Sequence, residues 1–178
     1  MSTDTTGIDP AAVRGLLVRN WLTHDAMWFA GALERFGIEE TNRLNRHAAR
    51  SMAQIEAKRI VKMFGLGSVD DADTLRRFFD IAIETVIPDF MDFDVTWAAA
   101  NTSVRFGITS CFAFDGVSML GVADRYECGI FERIHGWLDA LGVGYSVEPV
   151  ATLCTMYHEG TCARTYVFDL PPSAPPHS

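Results

Sequence analysis

The sequence lacks the features that usually mark nucleic-acid-binding and membrane proteins. Acidic residues outnumber basic ones by 23 to 15, the formal net charge is -8, and no basic run is longer than Arg76-Arg77. Phosphate binding needs a cationic surface, so we expect no nucleic-acid partner. No long apolar run occurs, and residues 1–10 contain neither a basic nor an apolar signal-peptide segment. We therefore expect a cytoplasmic protein without a membrane partner.

Cysteine is scarce, and the four cysteines all lie in the second half of the chain: Cys111, Cys128, Cys154 and Cys162. In a reducing compartment, paired cysteines are more often metal ligands or catalytic thiols than disulfides. Their spacing matches no zinc-knuckle motif, and free cysteine is also commonly buried as a small apolar residue. The residues alone leave open both a metal site and four buried thiols.

Hydrophobic spacing and capping residues predict four helices in the first half of the chain. They begin at Pro10 after an Asp9 cap, at a Thr23 cap, near residue 39 and near residue 71. The second is expected to stop at Gly37, the third at Gly65 and the fourth before Pro88.

After Pro88 the apolar residues alternate, which predicts two strands near residues 91–99 and 104–108. A helix over residues 125–142 follows, and then a hairpin with strands 145–157 and 162–170. We expect an α+β fold, in which about four helices pack on an antiparallel β-β-α-β-β unit. It would form a single domain over residues 1–170, with a helical part (9–87), a cysteine-bearing part (90–170) and a disordered tail (171–178).

The stretch CTMYHEGTC, residues 154–162, is the strongest local indication of chemistry. In the predicted hairpin, Cys154 and Cys162 flank the turn, and His158 at its tip would point to solvent. His158 is therefore only a fallback metal ligand. Arg105 and Arg164 alternate with apolar residues, so we expect both on the solvent face of their strands.

The C-terminal segment VEPVATLCTMYHEGTCARTYVFDL resembles the 4-vinyl reductase domain superfamily, over roughly residues 90–170. In related sensor modules four cysteines hold a structural zinc, and seven residues separate the last two, as in this chain. The resemblance implies that zinc is bound by Cys111, Cys128, Cys154 and Cys162. The spacing of the first three differs from the family pattern, and the glycine pattern between Cys111 and Cys128 is weaker.

A second resemblance involves WLTHDAMWFAGALERFG and TNRLNRHAARSMAQIEAKRI in the N-terminal half. These segments are similar to a family named L-2-amino-thiazoline-4-carboxylic acid hydrolase-like. The name derives from an enzyme that opens a thiazoline ring, so the resemblance implies hydrolysis of a ring, C–N or C–S bond. This resemblance indicates a common ancestry with that family more than it indicates a particular substrate.

The N-terminal motif places an imidazole and a carboxylate between two indoles. On a helix, Trp21, His24, Asp25 and Trp28 share one face. The His24–Asp25 pair could act as a general base in a partly apolar pocket. Alternatively, Asp25 interacts with the helix dipole and His24 with a backbone carbonyl.

Glu56 lies inside the apolar stripe of the long helix, where a carboxylate must be paired or protonated. It could form an ion pair with Arg59 or with an arginine of a neighbouring helix. It could instead join His24 and Asp25 as a third catalytic residue.

Two functions follow from these residues. The first is a zinc-containing hydrolase for a compact metabolite, in which four thiolates make the zinc structural. The second is a non-catalytic sensor that binds a hydrophobic or aromatic metabolite. For either function, the long apolar helices favour a homodimer. In both, the expected pocket lies between helices and sheet and is lined by Trp21, Trp28, Phe29, Asn45, Met52, Trp97 and Phe106.

Overall fold

The computed structural model describes residues 7–171, so nearly all of the tail predicted at 171–178 lies outside the described residues. The chain begins with a hairpin of two helices, α1 (Pro10–Phe36) and α2 (Ile38–Phe64). Asp9 caps α1 as predicted, because its carboxylate accepts a hydrogen bond of 3.0 Å from the Ala11 amide. Gly37 joins the helices with φ +78°, a conformation that favours glycine.

The first helix is continuous, so the predicted break at Thr23 is wrong. The Thr23 hydroxyl donates a hydrogen bond of 2.8 Å to the Arg19 carbonyl, one turn earlier. Threonine can make this bond inside a helix, and it then does not act as a cap. The helix expected from about residue 71 is present as α3 (Ala72–Val86), and Asp71 is its N-cap.

A four-stranded antiparallel sheet forms the C-terminal half, in the order β1-β2-β4-β3. The predicted first hairpin is present, but the order differs from the simple β-β-α-β-β unit because the last strand lies between the second and the third. The strands are β1 (Asp92–Trp97), β2 (Ser103–Ser110), β3 (Tyr145–Glu148) and β4 (Ala163–Phe168).

Three helices connect the strands: α4 (Phe112–Met119), α5 (Gly129–Leu141) and α6 (Thr155–Glu159). The sequence predicts α5 and its stop at Gly142, but it predicts neither α4 nor α6. The short helix α6 corrects the expected hairpin, because residues 155–159 are helical rather than a strand and turn. Pairing of β3 with β4 is retained, across a longer connection.

The main core lies between α2, α3, α5 and one face of the sheet. Both halves of the chain contribute to it, which confirms the α+β class. Its fully buried large side chains include Phe78, Phe79, Phe106, Leu138 and Tyr166. Within residues 7–171, no helix combines the length and the apolar character needed to cross a membrane.

Candidate metal centre

All four cysteines line one small cavity near the ends of β2 and β4. Its volume is about 10 Å³, the space of about one water molecule. The remaining walls are mostly apolar side chains, together with two residues that carry hydroxyls and one guanidinium. They are Ile108, Ala113, Phe114, Tyr126, Ile130, Phe131, Met156, Thr155 and Arg164.

Backbone pairing between two distant segments brings Cys128 and Cys154 to this cavity. The Cys128 amide donates to the Thr152 carbonyl at 3.0 Å, and the Cys154 amide donates to the Tyr126 carbonyl at 3.1 Å. These bonds place residues 126–128 alongside residues 152–154. Cys128 is then the N-cap of α5, and Cys154 is the N-cap of α6.

The central strands bring in the other two cysteines. Cys162 directly precedes β4, and its carbonyl accepts a hydrogen bond of 2.8 Å from the Ile108 amide of β2. Cys111 follows the end of β2 and is the N-cap of α4. The sheet and the pairing of residues 126–128 with 152–154 therefore gather four cysteines that are far apart in sequence.

Burial keeps the thiols of Cys111, Cys128 and Cys162 protonated when no cation is bound. It raises the pKa of Cys111 to about 12 and that of Cys162 to about 11, and the Cys128 sulfur adds to both shifts. Burial also raises the pKa of Cys128, against the opposing effects of the Phe131 amide and the Arg164 guanidinium. A thiolate needs local positive charge here, which a metal ion would supply.

Arg164 corrects the prediction of a solvent-facing residue, because it is only 4% exposed and lies at the cavity wall. Its guanidinium lies 4.2 Å from the centre of the Phe131 ring, and its Nε has no hydrogen-bond partner among the described residues. None of the ion pairs within residues 7–171 includes it. A buried guanidinium needs a nearby anion, and the four cysteine sulfurs line the same cavity as Arg164. Arg105 is exposed, as predicted.

The donor set suits zinc better than a hard cation, because zinc prefers thiolates and calcium or magnesium prefer oxygen. The side chains of residues 7–171 nevertheless contain no group of three or more Cys, His, Asp or Glu already arranged to hold a metal ion. The thiols thus share a cavity without forming a finished tetrahedral cluster. His158 does not line this cavity, since its Nε2 lies 3.1 Å from the Asp124 carbonyl oxygen on the exposed side of α6.

The predicted catalytic pair lies elsewhere, on the surface of α1. The side chains of His24 and Asp25 are 66% and 53% exposed, and Nδ1 of His24 lies 3.6 Å from Asp25 Oδ1. The Trp28 indole donates a hydrogen bond of 3.1 Å to His24 Nε2, and Trp28 is itself 69% exposed. The pair therefore exists without the enclosing apolar pocket expected around it.

Glu56 forms an ion pair with an arginine of a neighbouring helix, which is one of the predicted alternatives. The partner is Arg133 of α5 rather than Arg59. The Glu56 carboxylate accepts from both Arg133 Nε and Nη2, at 2.9 and 2.6 Å. It also accepts from the Trp137 indole at 2.8 Å. Trp21 joins this group, since the Arg133 guanidinium lies 4.7 Å from the centre of its ring.

The other residues predicted to line a pocket lie in three different places. Asn45 packs against Gly129 and Tyr126 near the cysteine cavity, and Phe29 stacks edge-on against Tyr126. Met52 is half-buried on α2. Trp97 and Phe106 pack around Phe79 in the core. The structure does not bring these side chains together around one cavity.

Sequence reasoning missed a polar groove of about 380 Å³ beside α2. Arg43, Arg46, His47 and Arg50 form one wall, and their i, i+3, i+4, i+7 spacing could have revealed this shared face. The other lining residues are Glu39, Glu127 and Glu132. Arg46 pairs with both Glu127 and Glu132, and Arg50 pairs with Glu132 and Asp139.

Comparison with protein-family models matches residues 12–113 to a family described as "Family of unknown function (DUF6125)". The match covers more than half of the chain. The chain belongs to the DUF6125 family. Within the DUF6125 match lies Cys111, but the match ends before the other three cysteines, so it does not describe the cysteine cavity. No curated protein and no solved structure matches the chain.

Proposed function

We propose that this protein is a zinc-stabilised binding domain, in which a structural zinc is held by Cys111, Cys128, Cys154 and Cys162. The observation that carries the proposal is the convergence of all four cysteines on one ion-sized cavity, beside the buried Nε of Arg164, which has no hydrogen-bond partner within residues 7–171. The resemblance to the 4-vinyl reductase superfamily, in whose sensor modules four cysteines hold a structural zinc, supports the same ligand set. With four thiolates the shell is closed, so the zinc would hold the C-terminal half together rather than activate water.

The amount of bound metal tests this proposal directly. Protein purified without chelator should contain about one zinc per chain by elemental analysis. Cys128→Ser and Cys154→Ser should each lose the metal. An exposed control, Ser118→Ala on α4, should keep it. Folded, metal-free protein with four titratable thiols would refute the zinc site.

The ligand of the domain is a compact polar molecule, bound in the groove beside α2. The groove volume falls in the range of small-molecule sites, and its walls supply both guanidinium donors and carboxylate acceptors. This favours a polar ligand over the hydrophobic metabolite that the sequence suggested, because Trp97 and Phe106 are occupied by packing in the core.

A thermal-shift screen with amino acids, dicarboxylic acids and phosphate monoesters tests the groove. A true ligand should raise the unfolding temperature in a saturable way. Arg43→Gln, which alters the groove wall, should weaken that response. Arg59→Gln, an exposed change elsewhere on α2, should not. Equal loss in both variants would place the ligand outside the groove.

A hydrolytic function remains the second candidate, and the 3.6 Å contact of His24 with Asp25 is the observation that favours it. Both side chains are accessible, so His24→Ala and Asp25→Ala should stay folded. A hydrolase should lose thiazoline, amide or ester turnover in these variants. A binding domain should show saturable binding and no turnover in the wild-type protein.

A further inference from the structure

The outer face of α1 between Val13 and Gly31 is a largely apolar surface of this chain. Only Val18 and Leu22 of this 27-residue helix are buried. Its large apolar side chains that face away from the core are 41% to 69% exposed. With the polar and small residues between them they form the outer stripe, defined as Val13, Leu16, Leu17, Asn20, His24, Met27, Trp28 and Gly31.

The charged residues of α1 lie outside this stripe, and two of them turn toward the body of the protein. Arg14 donates to the Glu84 and Ile87 carbonyls at the C-terminal end of α3, and Arg19 pairs with Asp89 at 2.9 Å. The indole N–H of Trp28 is already satisfied by His24. The stripe can therefore be buried without leaving a charge or this N–H unpaired.

The stripe is also symmetric about its own middle. Asn20 and His24 each lie two residues from Leu22, and Leu17 and Met27 each lie five. The pairs Leu16 with Trp28 and Val13 with Gly31 follow at six and nine residues. In an antiparallel pair of α1 helices centred at Leu22, each stripe residue would lie level with another stripe residue. Polar residues then meet polar ones, and the bulky Val13 meets glycine.

We propose that two copies of this chain associate through the outer stripes of their α1 helices, packed antiparallel about a two-fold axis. A surface used by both copies must be complementary to itself, which the symmetric order of these side chains provides. The five large side chains expose roughly 600 Å². This is the most area that these side chains can bury, and a standard interface buries ~800 Å² per partner. At the ends of the pair, Asp9 of one copy lies level with Arg35 of the other.

A second copy suits this surface better than a lipid bilayer does. Helices that bind membrane surfaces usually carry a strongly basic polar face. This chain has a net charge of -8, and α1 carries two acidic residues among its five charged ones. Anionic lipid would be repelled, whereas the uncharged stripe of a second copy would not.

Sedimentation equilibrium of the full chain tests the association. At about 100 µM the protein should sediment at twice its 19.7 kDa chain mass. Leu17→Lys and Met27→Glu should each weaken dimerisation by ~100-fold or more. Met119→Lys is the matched control, because Met119 is 88% exposed on α4 and lies outside the stripe. A wild-type monomer at this concentration, or dimers unaffected by the stripe variants, would overturn the proposal.

The double variant Leu17→Lys/Met27→Glu tests the antiparallel arrangement. Antiparallel packing places the two introduced charges of opposite sign level with each other, so the dimer should be restored relative to either single variant. Parallel packing would place like charges together and give no rescue. Circular dichroism should show the same helix content in all variants. A folded double variant that stays monomeric would refute this register, and vesicle binding by a wild-type monomer would assign the stripe to lipid.

Discussion

The guanidinium of Arg164 is buried beside uncharged thiols. Its positive charge therefore needs a negative charge nearby to balance it. Four thiolates around one Zn²⁺ would carry two negative charges, which a neighbouring cation would stabilise. Arg164 would then act through the cysteines rather than as a metal ligand. One side chain would thus determine the charge balance of the cavity.

We predict that Arg164→Gln lowers the affinity for zinc by about 10-fold or more, as loss of residues around metal ligands typically does. Competition with a chromogenic chelator measures this affinity. Arg164→Lys should retain part of it by keeping the charge. Arg105→Gln on the neighbouring strand should leave zinc affinity unchanged, since Arg105 is exposed. Equal affinity in the Gln and wild-type proteins would contradict the charge-balancing role.

A substitution of Glu56 tests whether this carboxylate has a structural rather than a catalytic role. The side chains of Glu56 and Arg133 are each only 16% exposed. Glu56→Gln should lower the free energy of unfolding by about 2 kcal/mol, since it leaves a half-buried cation without a full counter-charge. Urea denaturation measures the loss. Glu40→Gln, in an exposed pair with Arg43, should leave the unfolding midpoint unchanged.

His135 connects stability to pH. Burial lowers its pKa, Arg50 and Arg164 add to this effect, and Glu132 partly opposes it. The unfolded chain, with a histidine pKa of about 6.5, therefore binds the proton more tightly than the folded protein. The stabilisation is complete above that value and is lost as the pH falls through the folded-state pKa. His135→Gln should flatten the decline of unfolding free energy below about pH 6.5, while the exposed control His47→Gln should not.

At the scale of elements, the contact between α2 and α5 depends on one position without a side chain. A Cβ added at Gly136 would collide with the Arg50 carbonyl oxygen and lie 2.8 Å from Ala53 Cβ. The backbones of the two helices are therefore in close contact at this point. The ion pairs of Arg46, Arg50 and Arg133 flank it along the same interface.

We predict that Gly136→Ala destabilises the protein by about 2 kcal/mol, because the α2 backbone must move to accept the methyl group. Gly116→Ala in α4 is the matched control, since nothing lies within 4 Å of its added Cβ. That change should be neutral or slightly stabilising, as alanine favours a helix. Thermal unfolding of both variants compares them, and similar stability would argue against close packing at Gly136.

Some helices and strands could be predicted from the sequence, and others could not. The long helix α2 and the strand β2 carry clear apolar periods, and Asp9, Asp71 and Gly142 are strong capping signals. Helices α4 and α6 are short, and they begin at cysteines whose side chains make no capping hydrogen bond. Threonine is a common helix cap, but the Thr23 hydroxyl instead donates a hydrogen bond to the Arg19 carbonyl within α1. Burial of Arg164 depends on which segments meet around it, which local sequence does not encode.

For the whole molecule, the cysteine cavity joins segments that lie far apart in the chain. Ile108 and Arg164 are at its sequence limits, and the cavity includes the start of α5 and α6 between them. A bound zinc would cross-link these segments and stabilise the C-terminal half more than the α1–α2 hairpin.

We therefore predict that removing the metal with a chelator increases amide hydrogen exchange in residues 111–162 more than in α1 and α2. Hydrogen-exchange mass spectrometry of metal-loaded and chelated protein measures the difference. Readdition of zinc should restore protection. Cys128→Ser should resemble the chelated wild-type protein and should not respond to zinc. Uniform exchange changes across the chain would indicate a general effect of the chelator.

The strand order has a consequence for how the chain is made. Because β4 lies between β2 and β3, the last strand to leave the ribosome is the one that joins the sheet. Until then one edge of β2 is unpaired and β3 has no neighbouring strand, so both are exposed to intermolecular pairing. Truncation before residue 163 would thus remove the centre of the sheet rather than trim its edge.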